Sequence, residues 1–315
     1  FFYLLRKLLF LLSMKNNLSI IIPYFNGEKY FKKLIFSIVN SIKLVDISFT
    51  FQLIVIVDSI ETKTESIDEI LCINLDSLIN VKIEIIKNKI NEGVAKSRNI
   101  GFSIANGDLI HLIDQDDTIE PLFYPTIFQA SKKFNFILVN GNVNYEIGNY
   151  SNHKLYYFNQ KLNIDKLVWS DFIRSPGQVV FSKELIFNLR FPEPVIYKGA
   201  DDRFFWFKMF IINSNLIKPI YLHQALYNAC IHSDNYSSDK INLLYSALEN
   251  WYIFLKENTI DKKLLRSINN NIKSLKYSAK VKQSVNDSLI GFIFRFLYFV
   301  DANKMVVQQF LVNLS

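Results

Sequence analysis

Apolar and polar positions follow two rhythms along the first half of the chain. Short unbroken apolar runs, LSIII (18–22), FQLIVIV (51–57), VKIEII (81–86) and DLIHLI (108–113), have the pattern of strands buried on both faces of a parallel sheet. Between them the apolar residues return every three or four positions. Phe31, Leu34, Ile35, Ile38 and Val39 mark one face of a helix over 28–44, and helices are predicted over 62–74 and 93–105. Strand and helix alternating through short connections predict right-handed crossovers and a doubly wound, mostly parallel α/β sheet flanked by helices. Such sheets bind ligands beyond the carboxyl ends of their strands, where Pro23 to Asn26, Asp58 and Asp114 stand.

The second half is less regular. Residues 136–160, rich in Asn and Tyr, read as strands and loops. Residues 185–188 and 201–212 read as helices, and from Lys240 onward the pattern is helical to the end. Residues 288–300, SLIGFIFRFLYFV, are apolar nearly all round and broken only by Gly291 and Arg295. Such a helix is either buried or inserted shallowly in lipid. Lys273, Lys276, Lys280 and Lys282 just before it add charge that suits anionic lipid. The alternative is a helix packed on the rest of the chain or on a second copy, as in a homodimer.

Composition narrows the function classes. With 315 residues, half of them hydrophobic and 28 of them Phe, the chain can bury a substantial core. A net charge of +7, from 36 basic and 29 acidic residues, suits an anionic ligand or a lipid surface and falls well short of a nucleic-acid binder. Cys72 and Cys230 make neither a disulfide framework nor a metal spacing, which points to a reducing, cytoplasmic setting. No apolar stretch reaches the roughly 18 residues of a membrane span. Residues 1–17 read as an extension, because Met14 precedes the first strand like an ordinary start and no small-residue cleavage site follows the apolar opening.

The segment HLIDQDD crowds Asp114, Asp116 and Asp117 behind an apolar run. A calcium loop is excluded, since Ile119 replaces the sharp-turn Gly and Pro125 the bidentate Glu. Asp117 or Thr118 can cap a helix through Glu120, but one cap does not require three acids. Carboxylates at alternate positions suit Mn²⁺ or Mg²⁺, which share a substrate's phosphates. No G-x-G-x-x-G follows the first strand and no G-x-x-x-x-G-K-[ST] occurs, so dinucleotide and P-loop enzymes are excluded.

LSIIIPYFNGEKYF, NEGVAKSRNIGFSIANGDLIHLIDQDD and KGADDRFFWF, in this order, resemble the inverting GT-A glycosyltransferases of family 2. The resemblance covers about 18–235 and implies a GT-A, Rossmann-like domain there, with 236–315 a helical carboxyl-terminal region. It implies that Asp114-Gln115-Asp116 is the Asp-X-Asp motif, Asp114 facing ribose or sugar and Asp116 ligating the metal. It gives Pro23, Tyr24, Phe25 and Asn26 the base and ribose, with Asp58 beside them. There the family's second acid and Gly are replaced by Ser59 and Ile60. Arg98, matching the family's Arg-Asn, is placed near the diphosphate, and Gly93 would open the helix N-terminus to an anion. Asp202 matches the catalytic base, with Asp201 where the family has Glu. His232 would complete the metal shell. Gln178 is a weaker acceptor-side candidate, and Trp169 and Trp206 either stack on sugar or pack in the core. The function so implied is transfer from a nucleotide diphosphate sugar to a carbohydrate or lipid-linked glycan acceptor, at the inner face of the cell membrane. A catalytically dead sugar-nucleotide-binding or scaffold protein is the alternative.

Overall fold

A computed structural model describes residues 17–75, 78–145, 153–156, 162, 164–169, 173–232 and 239–284. The amino-terminal stretch before residue 17 and the apolar run 288–300 lie outside these residues. Nine strands among the described residues form one sheet: β1 Leu18–Tyr24, β2 Phe51–Val57, β3 Val81–Lys87, β4 Leu109–Leu112, β5 Thr118–Ile119, β6 Phe136–Tyr145, β7 His153–Lys154, β8 Val179–Ser182 and β9 Pro219–Ile231. The helices are α1 Glu28–Ile42, α2 Thr64–Leu75, α3 Val94–Ile104, α4 Phe123–Ser131, α5 Ile164–Trp169, α6 Asp201–Ile212, α7 Lys240–Glu257 and α8 Lys262–Ser284.

The chain divides into two compact units, 1–193 with 202–235, and 194–201 with 236–315. The first holds the sheet, in the order β3-β2-β1-β4-β8-β6-β9-β5 with β7 on β6. β1 to β4 are mutually parallel, β8 runs against both β4 and β6, and β9 is parallel to β6. Two reversals restore direction, so the carboxyl ends of β1, β2, β3, β4, β6 and β9 share one edge. This edge collects the site.

The expected strands and helices form, and β1, β2 and β4 are buried as their apolar runs predict. In contrast β3, the end strand of the sheet, is mostly half-buried because Lys82, Glu84 and Lys87 interrupt its apolar run. β2 is buried along its whole length, and Phe31, Leu34, Ile35, Ile38, Val39 and Ile42 of α1 are all buried. β1 outruns its predicted end and passes through Pro23. In this strand Leu18 and Tyr24 bond toward β2, whereas Asn17 and Ile21 accept from β4 and from Ile113 just beyond it. Pro23 therefore faces the β4 side, where β4 has already ended, and no ladder bond is lost. A helix over 185–188 does not form; a 3₁₀ turn occupies Lys183–Ile186 instead.

In the second unit α7 and α8 pair around buried Trp251, whose Nε1–H donates to Asn271 Oδ1 at 2.9 Å. The segment before α6 lies on α7: Tyr197 stacks on Tyr245 at 4.9 Å, and Ala200 N–H donates to Ser246 Oγ at 3.2 Å.

Candidate active site

Four loops meet at the carboxyl edge of the first unit. Asp58, 5% exposed, ends β2. Its Oδ1 accepts from Asn88 Nδ2 at 2.7 Å and from Glu92 N–H at 2.8 Å, and its Oδ2 accepts from Gly93 N–H at 2.7 Å. The anion at the N-terminus of α3 is therefore this carboxylate. It takes up the N–H of the cap residue Gly93 and of Glu92 before it, and answers the helix dipole. Gly93, at φ 86°, supplies the turn that brings its N–H to Asp58.

The three crowded aspartates each find a different partner, which is how the fold tolerates them. Asp114 Oδ1 lies 2.8 Å from an Arg98 terminal nitrogen, and the Arg98 side chain is only 6% exposed, its guanidinium 5.1 Å from the Phe191 ring. Arg98 is thus a buried partner of the acidic loop, not an exposed helix cation. Asp116 Oδ2 lies 2.8 Å from His232 Nε2. Burial, then the Asp114 charge, raises the Asp116 carboxyl above its ordinary range against the pull of His232. The His232 ring stacks on Tyr30, centroids 4.8 Å apart.

Asp117 turns inward. Tyr227 and Ser175 hydroxyls donate to its Oδ2, and Cys230 N–H to its Oδ1 at 3.0 Å. Full burial, then Asp116 and Asp114, pushes this carboxyl far up. It caps no helix: Thr118 and Ile119 form β5, and Asp117 ties the start of that strand to β9.

The loop after β1 is held from two sides. Asn26, at φ 46°, accepts at Oδ1 from the Ser59 hydroxyl at 2.5 Å and from Thr62 Oγ1 at 3.3 Å. Gln115 bonds both main-chain groups of Phe25 at 2.8 Å. Pro23 and Tyr24 are the last residues of β1, while the Phe25 side chain is 48% exposed. Asp201 and Asp202 open α6; Asp202 Oδ1 accepts from the Arg203 N–H at 2.7 Å.

Two other acceptor-side candidates, Gln178 and Trp206, are structural. Gln178 is fully buried, its amide bonded to Val139 O and to the N–H groups of Arg174 and Ser175. Trp206 is fully buried, edge-on to Phe136 and Phe181, and packs in the core. Trp169 ends α5 with 36% exposure. Sequence reasoning assigned no role to Gln115, Tyr30 or Asn88, since each acts on a residue distant in sequence.

Asp116 and His232 offer one carboxylate and one imidazole, donors that Mn²⁺ accepts. Among the described residues no three His, Cys, Asp or Glu gather as a closed metal cage. An open pair fits an ion that takes its other ligands from water and phosphate.

The profile of Glycosyl transferase family 2 matches residues 19–189. No curated protein matches in sequence. Among solved structures, S. aureus TarS 1-349 in complex with UDP-GlcNAc superposes at TM-score 0.62 with 19% identity, over 83% of this chain and 73% of that one. The mannosyltransferase PcManGT from Pyrobaculum calidifontis, in complex with GDP-Man and Mn2+, gives TM-score 0.58 and 12% identity over 92% and 85%. At these identities the likeness is one of fold.

Proposed function

The chain belongs to glycosyl transferase family 2, and from that premise we propose that it is a metal-dependent, inverting, hexosyl-type glycosyltransferase. It moves one sugar from a nucleotide diphosphate donor to a carbohydrate acceptor of a surface polysaccharide or glycolipid. One observation carries the reading. The loop Asp114-Gln115-Asp116 lies where parallel strands end, with Asp114 against buried Arg98 and Asp116 against His232.

In this reading Asp116 and His232 hold Mn²⁺ or Mg²⁺, with Asp114 beside them. The ion, when bound, supplies a Lewis acid for the leaving diphosphate. Arg98 orients Asp114, and the loop Pro23–Asn26 carries base and ribose. Asp58 acts at one remove, by fixing the 92–93 turn. Asp202, with Asp201 next to it, takes the proton of the acceptor hydroxyl as its oxygen attacks the anomeric carbon. The bond from that carbon to the diphosphate breaks in the same step, which inverts the centre.

The described residues contain no helix long and apolar enough to cross a membrane. We place the chain peripherally on the inner membrane face, on the basic face of α8, where a lipid-linked acceptor is met. The experiment for the activity is donor hydrolysis with Mn²⁺ across nucleotide sugars. Asp116→Ala is expected to lower turnover about a thousandfold, the scale of losing one electrostatic group at a transition state. Unchanged turnover in that variant sinks the metal assignment. Nucleotide-sugar binding without any hydrolysis favours the inactive binder.

A further inference from the structure

The Asp117 N–H reaches the Asp114 carbonyl oxygen at 3.2 Å, closing a tight turn with Gln115 and Asp116 at its corner. Asp116 meets His232, whereas Gln115 reaches across to the loop after β1. Its Oε1 accepts from the Phe25 N–H and its Nε2 donates to the Phe25 carbonyl oxygen, each at 2.8 Å. One side-chain amide thus satisfies both main-chain groups of a single residue, as a neighbouring strand would.

Gly27 is shaped by the same contact. A Cβ there would lie 2.2 Å from Gln115 Oε1 and 2.3 Å from its Cδ, a collision that requires a shift. The φ of Gly27 is −103°, open to any residue. A side chain at position 27 would therefore displace the amide rather than strain the backbone. On the far side Asn26 is held by Ser59 and Thr62. Gln115 is thus a direct link between the loop after β1 and the aspartates after β4.

We propose that Gln115 is a positioning residue for the donor: it fixes the base-and-ribose loop in register with the aspartates that face the diphosphate. The proposal rests on the glycosyltransferase reading. It assigns the middle residue of the acidic motif a role distinct from those of its neighbours.

The test is calorimetric titration of the full chain with UDP, GDP, CDP and dTDP in the presence of Mn²⁺. The variants are Gln115→Ala, Gln115→Met, Gly27→Ala and the Gly27→Ala, Gln115→Ala pair. Met keeps the volume of Gln and loses both hydrogen bonds. Gln115→Ala and Gln115→Met are both expected to weaken the bound nucleotide about tenfold, the scale of two net hydrogen bonds. Gly27→Ala should weaken binding in the wild-type background and cost nothing further beside Gln115→Ala. In hydrolysis of the donor sugar the KM should rise while kcat holds; a merely structural role would lower the melting temperature and the active fraction at constant KM. A Gln115→Met chain that binds like wild type overturns the proposal, and so does additivity of the two substitutions. A wild-type chain that binds none of the four nucleotides overturns the underlying reading, and that result needs no variant.

Discussion

His111 sits in the middle of β4 with no exposed surface, between Tyr124 Oη at 3.1 Å from Nδ1 and the Gly177 carbonyl oxygen at 3.0 Å from Nε2. A carbonyl only accepts, so Nε2 carries the hydrogen, and Nδ1 accepts from Tyr124. Burial holds the ring neutral and its pKa down to about 4, against an ordinary 6.5. In the unfolded chain the residue binds a proton below about 6.5. Its contribution to stability is therefore complete above pH 6.5 and is lost as pH falls toward 4. The full loss is about 3 kcal/mol, because each tenfold change in a proton equilibrium is worth about 1.4 kcal/mol. Urea unfolding at pH 7 and pH 4.5 checks this: His111→Gln should be less stable than wild type at pH 7, and the gap should narrow in acid. A constant gap would mean that His111 titrates alike in both states. That His111 is a core residue was legible from its apolar flanks. That Asp117 is also internal was not, because its partners Tyr227, Ser175 and Cys230 stand far along the chain.

At the scale of elements, periodicity predicted β1 to β4 and the helices between them because each carries its own local apolar pattern, although β3, at the sheet edge, is only half-buried. It failed where pairing is distant. The ten-residue β6 lies against β9 with register shifts at Val139 to Gly141, which no local rhythm encodes. α8 shows what a pattern alone can still say. Its 23 residues contain no acid, and at 100° per residue Lys262, Arg266, Lys273, Lys276 and Lys280 fall within about 80° of arc. All five are exposed, while Ile268, Asn271, Ile272 and Ala279 are buried on another face. Each basic side chain near an anionic surface contributes about 1 kcal/mol. Replacing Arg266, Lys273, Lys276 and Lys280 by Gln should therefore weaken binding to phosphatidylglycerol vesicles about a thousandfold at low salt. The same neutralisation at Lys32, Lys33, Lys132 and Lys133 removes equal charge elsewhere and should change little. Equal flotation of both variants with wild type would end the membrane assignment.

At the scale of the whole molecule, the division of the chain runs between two neighbouring acids. Asp201 belongs to the second unit and Asp202 to the first. The segment that leads into Asp201 is held by α7: Glu249 accepts from the N–H groups of Ile196 and Tyr197 at 3.2 and 3.3 Å, and Ser246 from that of Ala200. Gly199, at φ 120°, fits against Leu243 where a Cβ would come within 2.8 Å. The sequence offered no sign of this, since Pro194 to Ala200 and α7 are separated by the whole of α6 and β9. With Asp202 as the proposed base, the peptide that precedes it is the one that α7 holds, so that hold reaches the carboxylate along the chain itself. Replacing Ser246 and Glu249 together by Ala should then lower donor-hydrolysis turnover about tenfold, a fraction of what a misplaced catalytic group costs. Nucleotide affinity, set by the loops after β1 to β4, should hold. Titration and turnover on the same preparation separate the cases. If affinity falls in step with turnover, the segment before α6 orders the donor site itself, and the proton-accepting role must be sought elsewhere than in Asp202.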